Sequence, residues 1–416
     1  MLGPMSQPPR RPIPLLGEVR LGPRAARALT AEIARHPGPK SCLLLAVTAD
    51  SAVLAAALDA LLPTDTLILV PLAGAADGLR AHLASATSAD RRVRVVDSLT
   101  EIDPVDVAVV AEVLSGGAEA ARGYLDEVGK HLAEGGVLSV AALAGLDDAA
   151  EELGRQADFT GVGSDLVVRN LPPVRVHRLR FTPASPAIAA RLAPAYRPSS
   201  VPLTRSMNID SNGVAAAGIA LGLAAALRFG RRGSRLWLVP ALAAVPVAAF
   251  FRDPNRQPPA DGAAVVAASD GTVLSVERVT DPRFGQPADY LRVAVFLSVL
   301  DVHVNRAPVA GRVVDYFVED GGFAPAMKPA AEHNVAAYTV LETEHGKVVV
   351  AQRTGLIARR IVQRAPVGSL LARGERLGLI RFGSRTDVYL PVDAVEPAVA
   401  QGDKVAGGAT VIARWR

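Results

Sequence analysis

The first part of the chain alternates short apolar runs with segments of helical character. An alanine-rich stretch from Ser51 to Leu62 predicts one helix, and another helix is expected to end near Leu132. Strands that alternate with helices favour a parallel sheet covered by helices on both faces. We therefore predict an α/β domain over residues 16–182, preceded by a basic, proline-rich tail at 1–15. The runs that predict its strands are Cys42–Val47, Thr66–Val70, Val93–Val96, Val105–Val110 and Gly135–Val140.

The middle of the chain changes character twice. Residues 183–206 are rich in Pro, Ser and Ala and predict a linker. Within residues 207–251, two apolar segments, Val214–Leu227 and Leu236–Phe251, flank the basic turn RFGRRGSR. Each is shorter than the ~20 residues that a helix needs to cross a bilayer. We predict an apolar helical hairpin that associates with a membrane interface, and a hairpin buried inside the protein fits the same pattern.

Residues 252–416 consist of short Val-rich runs interrupted by Gly and Pro. Runs of this kind predict a mostly-β domain with short strands. The clearest of them are Gly271–Val279, Leu291–Val299, Gly311–Val318 and Lys347–Gly355. The predicted architecture is therefore an α/β domain and a mostly-β domain joined by the apolar hairpin.

Composition excludes some classes of protein. The formal net charge is only +4 over 416 residues, and basic runs interleaved with aromatic residues are missing, so nucleic-acid binding has no support. Cys42 is the only cysteine, which rules out an intramolecular disulfide and a thiolate metal cluster. We expect no metal site, and a reducing compartment suits the single thiol.

The N-terminal region resembles the Rossmann-like class of S-adenosylmethionine methyltransferases, particularly where a helix leads into the GGVLSV strand. Members of that class carry a glycine-rich loop after the first strand, whereas this chain has Thr48-Ala49-Asp50-Ser51 there. Without glycines the backbone cannot approach a nucleotide-like ligand closely. We therefore interpret the domain as a degenerate, scaffolding one, with an active methyltransferase as the alternative.

Several stretches of the C-terminal region occur in the order found in phosphatidylserine decarboxylases, and together they resemble the short, bacterial type of that family. The resemblance covers the chain from about residue 250 to the end. It implies a pyruvoyl-dependent enzyme that converts phosphatidylserine to phosphatidylethanolamine and carbon dioxide. The matching stretches are Phe250–Arg256 (FFRDPNR), Ala268–Gly271 (ASDG), Phe296–Gly311 (FLSVLDVHVNRAPVAG), Gly355–Val362 (GLIARRIV) and Gly378–Pro391 (GLIRFGSRTDVYLP).

The resemblance places self-cleavage between Gly383 and Ser384. A serine hydroxyl can attack the preceding carbonyl only where the backbone can distort, and glycine permits that distortion. The resulting ester eliminates, and hydrolysis of the dehydroalanine leaves a pyruvoyl group at Ser384. Its ketone captures the substrate amine as an imine, which takes up the electrons released with carbon dioxide. No metal or added cofactor is needed.

The resemblance also implies the residues that assist Ser384, which needs a base. His303 is the expected base, since its pKa lies near neutrality, and Asp270 is expected to orient the imidazole. Longer family members carry a second histidine where this chain has Arg306, as in the short type, so His303 must serve both cleavage and turnover.

Arginines are the expected ligands of the lipid phosphate, although solvated surface arginines fit the sequence equally well. We predict Arg306, Arg359 and Arg360 for this role. One departure from the family is that an N-E-R stretch is replaced by Asn334-Val335-Ala336. Its loss puts substrate positioning or strand support in doubt.

Two other functions remain open at this stage. The C-terminal segment also resembles the small β-barrel of biotinyl and lipoyl carriers, whose modified lysine would here be Lys404. The chain would otherwise be a bifunctional lipid enzyme with an active N-terminal methyltransferase. For the decarboxylase we expect phosphatidylserine and a phospholipid membrane as partners, a heterodimer of the two cleavage fragments, and a peripheral or monotopic location on the cytoplasmic face of the cell membrane.

Overall fold

The chain folds into two compact units. The first contains residues up to 33, 38–160 and 166–181, and the second contains 34–37, 161–165 and 182–416. The proline-rich tail at 1–15 lies outside the part of the chain that the structure describes. This computed structural model describes residues 19–85, 92–144, 147–194, 200–204, 206–230, 234–284, 288–356, 360–381 and 384–416.

The first unit is built on an open α/β sheet. Its strands are β1 (Ser41–Val47), β2 (Thr66–Pro71), β3 (Val93–Val95), β4 (Val105–Leu114), β5 (Leu132–Leu143), β6 (Gly161–Val167) and β7 (Val174–Leu179). The helices that accompany them are α1 (Pro23–Leu29), α2 (Ala31–Arg35), α3 (Ala52–Ala60), α4 (Ala76–Ser85), α5 (Ala118–Gly129) and α6 (Asp148–Thr160).

The strand order of this sheet is β3-β2-β1-β4-β5-β7-β6, and β1 to β5 pair in parallel. β7 pairs with β5 in the antiparallel sense. The order reverses between β1 and β4, which is the doubly wound arrangement. β1 is buried along nearly its whole length because helices cover both faces of a parallel sheet. The α/β prediction for this region is confirmed.

The second unit begins with short elements around the apolar segments. They are α7 (Pro186–Arg191), β8 (Ser200–Pro202), β9 (Met207–Asp210), α8 (Ser211–Gly230), α9 (Leu238–Phe250) and β10 (Arg252–Pro254). The predicted linker at 183–206 thus contains a helix, which Ser185 caps by accepting a hydrogen bond from the Ala187 N–H. Ala189 of this helix is buried against Leu370 and Ala372, so part of the segment belongs to the core.

Helices α8 and α9 pack against each other and are anchored at their base. Gly213 lies so close to Phe251 that a Cβ at position 213 would be 2.4 Å from the phenylalanine Cβ. Phe250, Phe251 and Leu379 form a small apolar cluster at this base. Among the described residues, α8 alone is long and apolar enough to span a membrane, with a mean hydropathy of 1.6.

The rest of the second unit is mostly β, as predicted. Its strands are β11 (Ala264–Val266), β12 (Gly271–Asp281), β13 (Ala288–Leu297), β14 (Val304–Arg306), β15 (Gly311–Glu319), β16 (Ala336–Thr343), β17 (Gly346–Arg353), β18 (Arg360–Gln363), β19 (Leu370–Leu371), β20 (Arg376–Arg381), β21 (Ser384–Pro391), β22 (Val395–Pro397), β23 (Lys404–Val405) and β24 (Val411–Trp415). Short 3-10 helices of this unit lie at Pro282–Phe284, Pro329–His333 and Val392–Ala394, and the first unit has one at Leu99–Glu101.

An eight-stranded sheet dominates this unit among the described strands, in the order β19-β15-β16-β17-β21-β13-β12-β23. Small sheets of order β14-β20-β18, β11-β24-β22 and β10-β9-β8 complete the unit. A large Val- and Leu-rich cluster fills the core, to which the eight-stranded sheet contributes Val293, Val350 and Val388. Alternation of side chains along each strand puts a second, aromatic cluster around Tyr338 and Tyr389 on the other face.

Candidate active site

The strand that begins with Ser384 lies in the middle of the eight-stranded sheet. β21 pairs with β13 on one side and with β17 on the other, and the backbone of Ser384 is opposite Leu297. Leu297 is the last residue of β13, so the loop from Ser298 to His303 starts immediately beside Ser384. Gly383 lies outside the described residues, and of Ser384 only the backbone is described.

His303 is buried at the end of this loop, with 1% of its surface exposed. Its Nδ1 is 2.9 Å from the carbonyl oxygen of Asp301. A carbonyl only accepts hydrogen bonds, so Nδ1 carries the proton and Nε2 is the unprotonated ring nitrogen. The ring also lies against Phe250, at 4.2 Å between centroids. Burial lowers the pKa of His303 to about 4, against the raising effect of the Asp301 carbonyl, so the imidazole is neutral at physiological pH.

The loop that carries His303 is fixed by Asp301. The carboxylate of Asp301 accepts hydrogen bonds from the backbone N–H of Ser298, at 2.8 Å, and from the Ser298 hydroxyl, at 2.7 Å. The Arg252 guanidinium donates to the carbonyl oxygen of Leu300, at the tip of the loop. These contacts hold the imidazole in one orientation.

Asp270 lies at the start of β12, at the same end of the sheet, but its contacts differ from the expected ones. Both of its carboxylate oxygens accept hydrogen bonds from Arg256, one of them at 2.8 Å, and Oδ1 also accepts the Gly407 N–H at 2.8 Å. The orienting contact expected between Asp270 and His303 is thus made by the Asp301 carbonyl. The planar guanidinium binds Asp270 because it matches a carboxylate with two parallel hydrogen bonds.

Arg306 was expected to bind the lipid phosphate, and the structure places it elsewhere. It is 4% exposed, and its guanidinium donates to Asp253 at 2.7 Å and to the Gly374 carbonyl at 3.0 Å. Asp253 also accepts a hydrogen bond from Arg376. Burial lowers the pKa of Arg306 to about 10, despite the neighbouring Asp253 carboxylate. Arg306 therefore ties β14 to the FFRDPNR segment and is not available to a phosphate.

Arg360 is exposed at the first position of β18, where a phosphate has access to it. Arg359 lies outside the described residues. Both arginines remain predictions for the substrate phosphate.

The stretch that replaces N-E-R in this chain keeps a structural asparagine. Asn334 is 2% exposed, donates to the carbonyl oxygens of Ala324 and Thr354 at 2.8 Å, and accepts the Ala324 N–H at 2.7 Å. Ala336 begins β16 and pairs in register with Arg353. Asn334 thus preserves strand support at this point without the charged pair.

The sequence alone did not reveal a layer of buried polar side chains behind the start of β21. The hydroxyls of Ser269 and Thr386 are 2.5 Å apart, and Gln352 Nε2 donates to Asn305 Oδ1 at 2.7 Å. All four residues are fully buried, and Asn305 Nδ2 and Gln352 Oε1 have no hydrogen-bond partner among the residues that the structure describes. Unpaired buried polar atoms are costly and are found at functional sites. In the sequence, the one feature that could have drawn attention to Asn305 is its position two residues after His303.

Two backbone segments lie very close to each other at this same end of the sheet. Gly271 has φ +146°, and a Cβ there would lie 2.0 Å from the carbonyl oxygen of Phe296. Only glycine fits this position, which brings the Asp270 segment against the residue that precedes Leu297. The sheet therefore gathers Asp270, His303 and the start of β21 at one end.

A buried, neutral histidine beside the first residue of a central strand is the kind of base that a hydroxyl nucleophile needs. This arrangement is the one expected of a β-sheet proenzyme that activates one of its own serines.

Comparison with known proteins identifies the family. Residues 245–413 match the family model of phosphatidylserine decarboxylase. The phosphatidylserine decarboxylase proenzyme of Pelobacter propionicus is 50% identical over 167 residues, which cover 40% of this chain and 74% of the relative. That of Thermobifida fusca is 45% identical over 196 residues, which cover 47% of this chain and 86% of the relative. The chain belongs to the phosphatidylserine decarboxylase family. It is a lyase that decarboxylates phosphatidylserine to phosphatidylethanolamine with a pyruvoyl group.

The N-terminal unit is similar to methyltransferases only at a low level. Precorrin-6y C5,15-methyltransferase from Geobacter metallireducens is 18% identical with a TM-score of 0.29, covering 37% of this chain and 86% of that one. TrmN from Thermus thermophilus is 17% identical with a TM-score of 0.32, covering 38% and 49%. These values carry no argument about a ligand. In this chain the loop after β1 is Thr48–Ser51, where the Thr48 hydroxyl donates to Asp50 at 2.8 Å.

The carrier alternative is not favoured. β23, which bears Lys404, pairs with β12 in the eight-stranded sheet, and Lys404 Nζ donates to the Thr272 hydroxyl at 2.6 Å. β24 pairs with β11 in another sheet. The C-terminal segment is thus shared among the sheets of the domain and does not form a barrel of its own.

Proposed function

We propose that the chain matures by cleaving itself between Gly383 and Ser384, with His303 as the base. The observation that carries this proposal is the register of β13 and β21, which sets the backbone of Ser384 opposite Leu297. The loop that follows Leu297 ends at His303, whose Nε2 is the unprotonated ring nitrogen. Glycine before the serine gives the backbone the freedom that the reaction requires.

The cleavage proceeds in three steps: ester formation, β-elimination and hydrolysis. His303 accepts the hydroxyl proton of Ser384 as the oxygen adds to the carbonyl carbon of Gly383. The imidazolium then gives this proton to the Ser384 nitrogen as the peptide C–N bond breaks, which leaves an ester, a free amine and a neutral imidazole. Removal of the Cα proton of Ser384 then expels the Gly383 carboxylate by β-elimination. Water hydrolyses the remaining dehydroalanine, which releases ammonia and leaves the pyruvoyl group. A neutral imidazole suits both proton transfers, since a cation at position 303 would accept neither proton.

When present, the pyruvoyl group supplies an electrophilic carbonyl that captures the substrate amine and takes up electrons as carbon dioxide leaves. The residues around the start of β21 fit such a group. Asn305 and Gln352 offer a buried donor and a buried acceptor that have no partner among the described residues. The hydrogen bond between the Ser269 and Thr386 hydroxyls fixes the strand two residues after Ser384. We assign to them the holding of the cofactor and the substrate headgroup.

We assign Asp270 a positioning role in the same reaction. Its bond to Arg256 orients the carboxylate beside the loop start, where it favours the protonated imidazole electrostatically after each proton transfer. Arg359 and Arg360 are assigned to the lipid phosphate, which planar guanidinium groups bind with charge-assisted hydrogen bonds.

The two fragments are expected to remain together as a heterodimer. The small fragment, residues 384–416, would contain β21, β22, β23 and β24. Three of these strands pair with strands of the large fragment: β21 with β13 and β17, β23 with β12, and β24 with β11. Val388 and Leu390 of β21 also lie in the main core.

We further infer that α8 and α9 bind a phospholipid membrane at its cytoplasmic face, in a peripheral or monotopic manner. In the 18-residue window that makes α8 apolar enough to span a bilayer, only 11% is buried in the protein. Exposed apolar side chains recur along both helices, and arginines follow in the connecting turn, an arrangement typical of interfacial segments. The exposed apolar side chains on these two helices are Val214, Ile219, Leu221, Leu223, Phe229, Val239, Leu242 and Val245.

Intact-mass analysis of the purified protein tests the proposed maturation. We expect two species, residues 1–383 and 384–416, with pyruvoyl at the start of the smaller one. Uncleaved wild-type chain, or a small fragment that begins with serine, contradicts the proposal. Release of labelled carbon dioxide from phosphatidylserine in detergent then tests whether the cleaved protein is active.

A further inference from the structure

Large apolar side chains project from loops next to the Ser384 end of the eight-stranded sheet, and we call this set the apolar rim. Two lie on the loop after β13, two on the segment between β15 and β16, and one after β17. Their exposed fractions are 49% for Val299, 80% for Leu300, 38% for Phe323, 63% for Met327 and 63% for Leu356. Exposed apolar side chains that gather in one region mark an interaction surface.

The register of the sheet shows that these loops share one end. Leu297, the last residue of β13, is opposite Ser384, and Arg353, the last residue of β17, is opposite Arg385. Ala336, the first residue of β16, is opposite both Arg353 and Glu319, the last residue of β15. The loops after β13, β15 and β17 therefore leave the sheet where β21 begins.

Hydrogen bonds hold two of these loops in fixed positions. Asn334 bonds to Ala324, next to Phe323, and to Thr354, two residues before Leu356. The Thr354 N–H donates to the Val335 carbonyl at 2.9 Å. The rim is thus an ordered surface, and its exposed side chains are held in place by the backbone beneath them.

The apolar rim is connected to the helical hairpin. Arg252, just after α9, donates to the carbonyl oxygen of Leu300 and to that of Ala249, the latter at 3.2 Å. Phe250, the last residue of α9, lies against His303. The exposed apolar surface of the helical hairpin is therefore adjacent to the apolar rim.

The charges beside the rim favour an anionic partner. Lys328 and Arg360 are exposed there, and the exposed carboxylates near them in the chain are Asp320 and Glu332. The nearby Glu332 carboxylate is bound by Arg292 at 2.7 Å. An apolar surface with a small excess of positive charge matches the headgroup and acyl boundary of an anionic bilayer.

We propose that the apolar rim inserts into an anionic phospholipid bilayer, so that the Ser384 end of the sheet faces the membrane. This inference rests on the proposed function and deepens it, because it states how the substrate reaches the site. The headgroup passes between the loops while the acyl chains stay in the bilayer, so no lipid has to be extracted into water.

The first test compares two substrates with the double variant Met327→Ser/Leu356→Ser in the full-length, processed enzyme. On mixed phosphatidylcholine and phosphatidylserine vesicles we expect activity to fall about tenfold or more, since burying even one large apolar side chain is worth about that factor in partition. On dihexanoyl phosphatidylserine below its micelle concentration we expect wild-type activity. The matched control is Leu171→Ser, since Leu171 is a leucine of the first unit with 93% exposure.

The second test locates the insertion directly. An NBD fluorophore is attached to Leu300→Cys, or to Glu344→Cys in the turn between β16 and β17 at the other end of the sheet; Cys42 is fully buried and does not compete. Vesicles should shift the emission to shorter wavelength at position 300 and leave it unchanged at position 344. Membrane-bound protein without a shift at position 300 overturns the proposal.

The outcomes separate this inference from the function on which it rests. Loss of activity on vesicles alone supports insertion of the rim, whereas equal activity of the double variant and wild type on vesicles refutes it. Equal loss on both substrates also refutes it, since the rim would then act on the chemistry. Wild-type enzyme that decarboxylates neither substrate would refute the proposed function itself.

Discussion

The two ends of the eight-stranded sheet are made by the same antiparallel strands, yet they differ in what they bury and expose. At the opposite end, β16 and β17 are joined by a short turn in which the Thr343 hydroxyl donates to the Gly346 carbonyl at 2.7 Å. Exposed Glu344 and His345 form its tip. At the Ser384 end, polar and charged groups are buried and apolar side chains are exposed.

Burying charged groups and exposing apolar side chains both cost free energy. An arrangement that is kept despite this cost is therefore informative. Next to the start of β21, Asp387 is fully buried between Arg353 and Arg385, at 2.7 and 2.6 Å. Burial alone would raise the pKa of Asp387, but the two guanidinium groups lower it. Replacing buried ion pairs by apolar residues is often neutral or stabilising, so their presence points to positioning rather than stability. The end that departs from the ordinary pattern is the end to which we assign the chemistry.

The largest expected effect is at the cleavage serine. Ser384→Ala should abolish both cleavage and decarboxylation, because without the Ser384 hydroxyl neither the ester nor the pyruvoyl ketone can form. The control is Ser275→Ala, on β12, whose exposed hydroxyl donates to Glu277. Gel electrophoresis and carbon dioxide release measure the two effects, and a cleaved Ser384→Ala chain would place the site elsewhere.

Next in size is the loss of the base. His303→Asn should slow cleavage by roughly 10²–10⁴-fold, the usual contribution of a positioned general base. The matched substitution at the opposite end, His345→Asn, should leave the rate unchanged. Cleavage is followed by mass spectrometry after synthesis of the chain, and a wild-type rate in His303→Asn would assign the base to another residue.

Breaking the buried ion pairs should destabilise the Ser384 end. We expect Asp387→Asn to lower the free energy of unfolding by about 3–5 kcal/mol, because two buried guanidinium groups lose their counter-charge. Glu344→Gln in the opposite turn should change it by less than about 0.5 kcal/mol. Urea unfolding followed by tryptophan fluorescence reports on this unit, since both tryptophans, Trp237 and Trp415, belong to it.

The smallest effect sought is the pH dependence that His303 confers. Its pKa is near 6.5 when unfolded and about 4 when folded, so the folded state binds fewer protons between these values. The stability that the neutral imidazole contributes is full above pH 6.5 and is lost as the pH falls towards 4, by about 3 kcal/mol in all.

To measure it, unfolding at pH 7 and pH 4.5 is compared in the uncleaved Ser384→Ala background. Stability should fall more steeply with His303 present than with His303→Asn, while His345→Asn should behave like the parent. Equal falls in all of these variants would mean that the pKa of His303 is the same in the folded and unfolded states.

Pattern and motif predicted a large part of this molecule. The alternation of apolar runs with helical segments predicted the α/β sheet, and the Val-rich runs between Gly and Pro predicted the β domain. Both predictions succeed because these patterns depend only on residues that are close together in the chain. The Gly383–Ser384 dipeptide and His303 were found because the family motifs surround them. The helix within the presumed linker at 183–206 was missed, because its burial depends on Leu370 and Ala372, far away in sequence.

The sequence by itself therefore determined the order of elements and the family, and it predicted the reactive residues. Only the tertiary structure decided what each charged residue does. Arg306 and Arg360 look alike in the sequence, but Arg306 is buried against Asp253 whereas Arg360 remains exposed. Strand register and burial set these roles, and they follow from contacts between residues that are distant along the chain. For the same reason, only the fold reveals that the exposed apolar loops and the start of β21 share one end of the sheet.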